Sequence, residues 1–166
     1  MIRKALSSEI AEILSLTQAC SKEMIANEIF QWNEHYPNVE AFQKDVKRGE
    51  LYVKELENTL VGCMVISSLK DEEYDAVPWL TPDGFNYYIH RLAVHPAFQH
   101  QGHAKSLMDF AEKTIKEMGG ISVRLDTFSK NARNQKFYEA RGYTKLGGIY
   151  FPKQSEFPFY CYELII

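Results

Sequence analysis

The chain has 166 residues, 45% apolar and 25% charged, with a net charge of −3. That length suits one domain with a real core, and the composition excludes wholesale disorder. The acidic balance argues against nucleic acid as a main partner, because phosphate backbones need clustered Lys and Arg, and no apolar run is long enough to span a bilayer.

Ile2 to Leu6 reads as a short edge strand. Ser7 or Ser8 caps a helix in which Ile10, Ile13, Leu14 and Thr17 recur at helical spacing. Met24 to Pro37 is aromatic and irregular. Asn38 opens a second helix, with Phe42 and Val46 inward and Gly49 as the stop. Leu51 to Leu56 and Leu60 to Ser67 form a hairpin around Glu57-Asn58. Asp71 to Gly84 is polar, carries Pro78 and Pro82, and reads as a loop. Asn86 to Val94 is a central strand. Ala104, Leu107, Met108, Ala111, Ile115 and Met118 mark one face of a helix ending at Gly119-Gly120. Ile121, Val123 and Leu125 alternate in a strand ending at Asp126-Thr127. Asn131 to Ala140 is a short helix stopped by Gly142, and strands Tyr143 to Tyr150 and Phe157 to Ile166 close the chain.

A strand–helix–strand unit over 86–126 implies a parallel pair joined by a right-handed crossover, and the hairpins imply antiparallel neighbours. The expected architecture is a mixed α/β fold. One mostly antiparallel sheet of six to seven strands carries helices on both faces, in a single domain over 1–166. The N-terminus turns polar at Ser7-Ser8-Glu9 before any signal-peptide core forms. Cys20, Cys63 and Cys161 are scattered and suggest neither a disulfide framework nor a zinc site. A cytoplasmic protein without a metal is expected.

Two stretches carry chemistry. Gln99-His100-Gln101-Gly102-His103-Ala104 joins the central strand to a helix start. Such a turn exposes several backbone N–H groups where the helix dipole favours an anion, and Gly102 removes the Cβ that would keep a ligand away. Its simplest ligand is a phosphate or diphosphate. In the second stretch Asn131 suits a helix cap, and Tyr138 follows about two turns later on the same side.

Together the two stretches resemble the GCN5-related N-acetyltransferase (GNAT) family. Gln99, Gly102 and Ala104 match its Q/R-x-x-G-x-G/A loop. Asn131, Phe137, Tyr138, Gly142 and Tyr143 match its N-x-x-A-x-x-F-Y-x-x-x-G-F/Y helix. The resemblance implies acetyl-CoA as donor, an amine as acceptor, and a gap between strands 86–94 and 121–126 that admits the pantetheine arm. It places that arm on backbone groups of Leu92, Ala93 and Val94, with a bulge in the strand. It places the diphosphate on the N–H groups of His100, Gln101, Gly102, His103, Ala104 and Lys105, beside Gln99. Asn131, Asn134, Phe137, Tyr138 and Arg141 complete the expected coenzyme contacts. Two departures stand out. The loop has only His100 and His103 where Arg or Lys is usual, with Lys105 the nearest fixed cation, so a modest or pH-dependent coenzyme affinity is expected. Asn134 stands where the helix usually has Ala.

By the same resemblance Tyr138 is the general acid for the departing thiol, and His90 is the candidate base, since an ordinary histidine titrates near neutrality. A packed aromatic and a strand histidine bonded to a neighbour are the bland readings of these two. Glu28, Trp32 and Tyr88 are candidates for the acceptor side. The expected activity is direct acetyl transfer to a primary amine of a small acceptor, by a monomer or homodimer without nucleic-acid or membrane partners. The alternative is a non-catalytic acyl-CoA or metabolite sensor.

Overall fold

The computed structural model describes residues 1–166. Its elements are β1 (Ile2–Lys4), α1 (Ile10–Ala26), α2 (Val39–Lys47), β2 (Leu51–Leu56), β3 (Thr59–Ser67), β4 (Asn86–Val94), α3 (His103–Glu117), β5 (Ser122–Phe128), α4 (Ala132–Ala140), β6 (Thr144–Ile149) and β7 (Phe159–Ile165). The strands form one seven-stranded sheet in the order β1-β2-β3-β4-β5-β7-β6. Every neighbouring pair is antiparallel except β4 and β5. The mixed, mostly antiparallel sheet read from the sequence is the one observed. No helix is long and apolar enough to cross a membrane.

Two caps fall where side-chain chemistry puts them, but Ser7 and Ser8 lie in a 3-10 turn ahead of α1, whose first position follows Glu9 without a side-chain cap. The Asn38 Oδ1 accepts from the Ala41 N–H at 2.9 Å, and the Asn131 Oδ1 accepts from the Asn134 N–H at 3.1 Å. Helix α1 runs well beyond Thr17, because Cys20 and Ser21 continue its buried face. The start of the segment read as irregular is therefore helical. Within the segment read as a loop, Glu72–Ala76 forms a 3-10 turn that buries Tyr74.

Partners directly opposite each other in a sheet point to the same side, so the register divides the sheet into two faces. Cys63, Val65, Tyr88, His90, Ala93, Arg124, Asp126, Phe128, Cys161 and Glu163 share one face. Helices α1 and α2 cover one end of it, packing Ile13, Leu16, Cys20 and Phe42 onto Val53, Cys63, Val65 and Ala93. Tyr74 and Val77 cover the other end over Tyr88, Phe128 and Phe159. On the opposite face, Leu107, Met108, Ala111 and Ile115 of α3 and Tyr138 of α4 pack on Met64, Ile66, Ile89, Val123, Leu125 and Tyr162. Helix α3 approaches β3 closely only because residue 62 is glycine: a Cβ there would stand 2.9 Å from the Ala93 carbonyl oxygen and 3.0 Å from Leu107 Cδ1.

Two irregularities open the sheet at its centre. The parallel ladder joins Asn86, Tyr87 and Tyr88 to Ser122, Val123 and Arg124 and then stops. From Ile89 onward, the edge of β4 that faces β5 has no strand partner. Between Val65↔His90 and Cys63↔Ala93, β4 carries one residue more than β3, a β-bulge. Arg91 sits in it at φ +51°. Its guanidinium is clamped by the buried Asp45, with Nε at 2.8 Å from Oδ2 and Nη2 at 2.7 Å from Oδ1, and it donates to the Tyr36 hydroxyl at 2.8 Å. That bidentate pair compensates for the strained backbone and ties α2 to the bulge.

Candidate active site

A cavity of about 790 Å³ occupies the gap. Leu92, Ala93 and Val94 of β4 form one wall, and Leu125 and Asp126 of β5 form the other. Gln99, His100 and Ala104 lie at the α3 end. Asn131, Asn134, Phe137 and Tyr138 close it from α4, and Trp32, Tyr36 and Phe151 from the loops on the opposite face.

The α3 end is built for an anion. No protein acceptor engages the N–H groups of His100, Gln101, Gly102, His103, Ala104 or Lys105. Gly102 has φ +83°, and a Cβ there would meet nothing within 4 Å. Unpaired donors at the start of a 15-residue helix suit a diphosphate. The Val94 carbonyl is already taken, accepting from Cys20 Sγ at 3.1 Å and Gln99 Nε2 at 3.0 Å.

The cations depart from the sequence reading. Lys105 pairs with Asp109 at 2.8 Å. Arg141 pairs with Asp109 and Glu112, at 2.8 and 2.7 Å, and lies off the cavity wall. Two cations lie on the wall: Arg91, which is held by Asp45, and Arg133, whose Nη1 donates to Gln99 Oε1 at 3.3 Å. Its place one turn before Phe137 is the only hint the sequence offered. His100 lines the cavity, but His103 turns inward. Its ring packs edge-on to Phe98 with both nitrogens buried and unpartnered, and burial lowers its pKa. Of the two loop histidines, only His100 faces a ligand there.

At the other end, Tyr138 enters from the α4 side. It is buried against Tyr143 and Tyr162, its hydroxyl has no hydrogen-bond partner in the protein, and burial pushes the phenol up, so it stays protonated. His90 lines the cavity from the opposite face and stacks on Tyr88 with ring planes 10° apart. Burial and the Arg91 guanidinium push its imidazole down to about 3, so it is neutral and a weak base. Its Nδ1 lies 4.0 Å from Asp71 Oδ2. Trp32 is buried on the cavity wall. Glu28 is exposed and outside the cavity; Tyr88 is also outside it but buried, and its hydroxyl accepts from Arg124 Nη1 at 3.1 Å.

Sequence reasoning passed over Asp71, Tyr74 and Asp126. The Tyr74 hydroxyl donates to Asp126 Oδ2 at 2.5 Å. Burial, helped by Asp71 and Glu73, raises Asp126 to about 6. Cys20 also reaches the wall, although no cysteine was placed there from the sequence. Burial pushes its thiol up to about 12, so it is no thiolate at neutral pH.

The buried imidazole predicts a pH effect on stability. An unfolded histidine titrates at 6.5, so the contribution of neutral His90 is complete above that pH and is lost as pH falls toward 3. Asp126, raised from 3.8 to about 6, acts with the opposite sign between those values. Between pH 7.5 and 5.0 the wild type is expected to lose about 2 kcal/mol more than His90→Gln, which keeps the Asp126 contribution and lacks that of His90. Urea unfolding of both proteins at the two pH values checks this. Parallel losses would contradict it.

The model of the acetyltransferase (GNAT) family matches residues 12–143. The chain belongs to that family, whose acetyl donor is acetyl-CoA. Among solved structures, a GNAT-family acetyltransferase from Listeria monocytogenes 4b F2365 is 25% identical, with a TM-score of 0.80 over 100% of this chain and 94% of that one. One from Streptococcus agalactiae 2603 is 24% identical, with a TM-score of 0.81 over 100% and 95%. The PaiA N-acetyltransferase from Thermoplasma acidophilum, in complex with coenzyme A, is 17% identical, with a TM-score of 0.74 over 100% and 98%. The last two likenesses show the shared fold. Among curated proteins, no match is found.

Proposed function

We propose that this chain is an acetyl-CoA-dependent N-acetyltransferase that acts by direct transfer to a primary amine of a small acceptor. One observation carries the reading: a single gap between β4 and β5 runs from a row of unpaired N–H donors to a buried, unpartnered phenol. The coenzyme A complex of the PaiA relative supports a coenzyme in that gap. Acetyl-CoA supplies the activated thioester carbonyl and the thiol leaving group.

The chain's own residues divide the work. The N–H groups of residues 100–105 and the Arg133 guanidinium hold the diphosphate. The unpaired edge of β4 at Leu92 to Val94 takes the pantetheine amides as an added strand would. An N–H from Leu92 or Val94 polarises the carbonyl, a role whose loss typically costs about 3 kcal/mol in the barrier. Tyr138 donates its proton to the departing sulfur. Trp32, Tyr36 and Phe151 narrow the acceptor side, which favours a small acceptor over an extended peptide. No thiolate is placed to carry an acyl group, so ordered or random sequential kinetics are expected, not ping-pong.

The test is calorimetric titration with coenzyme A, followed by acetyl transfer from acetyl-CoA to a panel of small amines and a basic peptide. Saturable binding with turnover on small amines is expected. No association at millimolar coenzyme removes the proposal, and binding without turnover on any amine makes the chain a sensor.

A further inference from the structure

The geometry points to Asp126, held by Tyr74, as the group that takes the proton from the acceptor nitrogen, and so to a cationic amine as the acceptor. This rests on the acetyl-transfer reading above. The ladder that ends at Tyr88↔Arg124 would, if continued, set His90 opposite Asp126. The strands part instead, and the two side chains face each other across the mouth of the gap on the side away from Tyr138. An acceptor entering from the loop side therefore has Asp126 beside its nitrogen and Tyr138 beyond the reacting carbon.

Asp126 suits the role better than His90 in its contacts. Its Oδ2 is fixed by Tyr74, while no protein donor reaches Oδ1. The groups around it are Tyr36 from the loop before α2, Asp71, Glu73 and Tyr74 from the 71–76 turn, His90 from β4, Cys161 from β7 and Tyr138 from α4. None of these is a cation. The Arg91 guanidinium, which also lines the cavity, is paired with the buried Asp45. Asp71 feels the charge of Arg91 but makes no ion pair with it, its one ion-pair neighbour being the neutral His90 at 4.0 Å. Two carboxylates, neither of them bonded to a lysine or arginine, make this end of the cavity selective for positive charge. A carboxyl group near pH 6 is also better matched to proton transfer at neutral pH than an imidazole near 3.

The acceptor arrives as R–NH3+ against Asp71 and gives one proton to Asp126, which passes it to solvent. The freed nitrogen lone pair forms the N–C bond to the acetyl carbon, and the C–S bond breaks with its electron pair on sulfur. Tyr138 protonates that sulfur, and the second nitrogen proton replaces the one Tyr138 has given. The products are the acetamide, free thiol and one solvent proton.

Asp126→Asn is expected to lower kcat/KM for a primary alkylamine by about 10²-fold or more. It should also abolish the acidic limb of the pH profile that the wild type shows near pH 6. Coenzyme A binding by calorimetry should be unchanged, which separates failure of this inference from failure of the acetyl-transfer reading or of folding. Tyr74→Phe removes a bond that favours the ionised carboxylate, so the limb should move to higher pH with a smaller loss of rate. Aromatic amines, uncharged at neutral pH, should be acetylated far more slowly than alkylamines. Asp126→Asn with an intact acidic limb and near-wild-type kcat/KM overturns the base assignment. Equal use of aromatic and alkyl amines overturns the cationic acceptor.

Discussion

Replacing Tyr138 with phenylalanine is expected to lower kcat by about 10²-fold while leaving KM for acetyl-CoA within about twofold. The hydroxyl makes no hydrogen bond within the protein, and the ring is held by Tyr143 and Tyr162. The substitution therefore removes a proton and almost nothing else. A purely structural tyrosine at this position would give wild-type turnover in the phenylalanine variant. The role also predicts a dependence on the leaving group. An acetyl thioester of an acidic aromatic thiol needs less help to expel its sulfur, so the variant should recover much of its rate with that donor, and the wild type should gain far less. Steady-state kinetics with both donors measure this. An equal loss with both would place Tyr138 in packing or binding.

The elements legible in the sequence were those whose side chains repeat with the period of their own backbone. The α3 face from Ala104 to Ile115, the strand from Asn86 to Val94 and the Asn131 cap are local patterns, and local physics fixes them. The glycine loop was legible for the same reason, since backbone donors depend on conformation more than on neighbours. The acceptor side was not legible, because its residues meet only through the fold. Asp126 reads as a strand terminus, and Tyr74 and Asp71 as parts of a polar, proline-bearing loop. Only the register that aligns Tyr88 with Arg124 brings the first two against His90. The ion pairs of Lys105 and Arg141 were not legible either, for a complementary reason. Lys105 pairs with Asp109 one turn along its own helix, and Arg141, at the end of α4, pairs with Asp109 and Glu112 of α3. The strand order is equally non-local: β7, last in the chain, lies between β5 and β6.

The second large effect lies beneath the acceptor side. Arg124 is fully buried in the middle of the sheet, opposite Glu163 on β7. Its Nε donates to Glu163 Oε1 at 3.1 Å, Nη1 to Asp83 Oδ1 at 2.7 Å and to the Tyr88 hydroxyl, and Nη2 to the Thr81 carbonyl at 2.6 Å and to Thr81 Oγ1. The guanidinium also lies 4.5 Å from the centre of the Trp79 ring. Glu163 in turn accepts from the Leu80 N–H and the Thr81 hydroxyl. Glu163→Ala leaves a buried guanidinium with one half-exposed carboxylate, Asp83, as its counter-charge. Breaking a buried pair in this way typically costs about 3–5 kcal/mol, a large part of the roughly 5–15 kcal/mol that holds a domain folded. Glu163→Gln keeps an acceptor for Arg124 and should cost less. The loss should also reach the chemistry. The 79–84 segment is anchored by this network, and Trp79 Nε1 donates to the Tyr74 carbonyl at 2.9 Å, so loosening it frees the tyrosine that holds Asp126. Urea unfolding should show a lower midpoint for Glu163→Ala, with coenzyme A affinity retained below the transition. Kinetics on the same protein should show a raised KM for the amine and an unchanged KM for acetyl-CoA. A midpoint within experimental error of the wild type would mean that Asp83 and Tyr88 alone suffice to hold the buried charge.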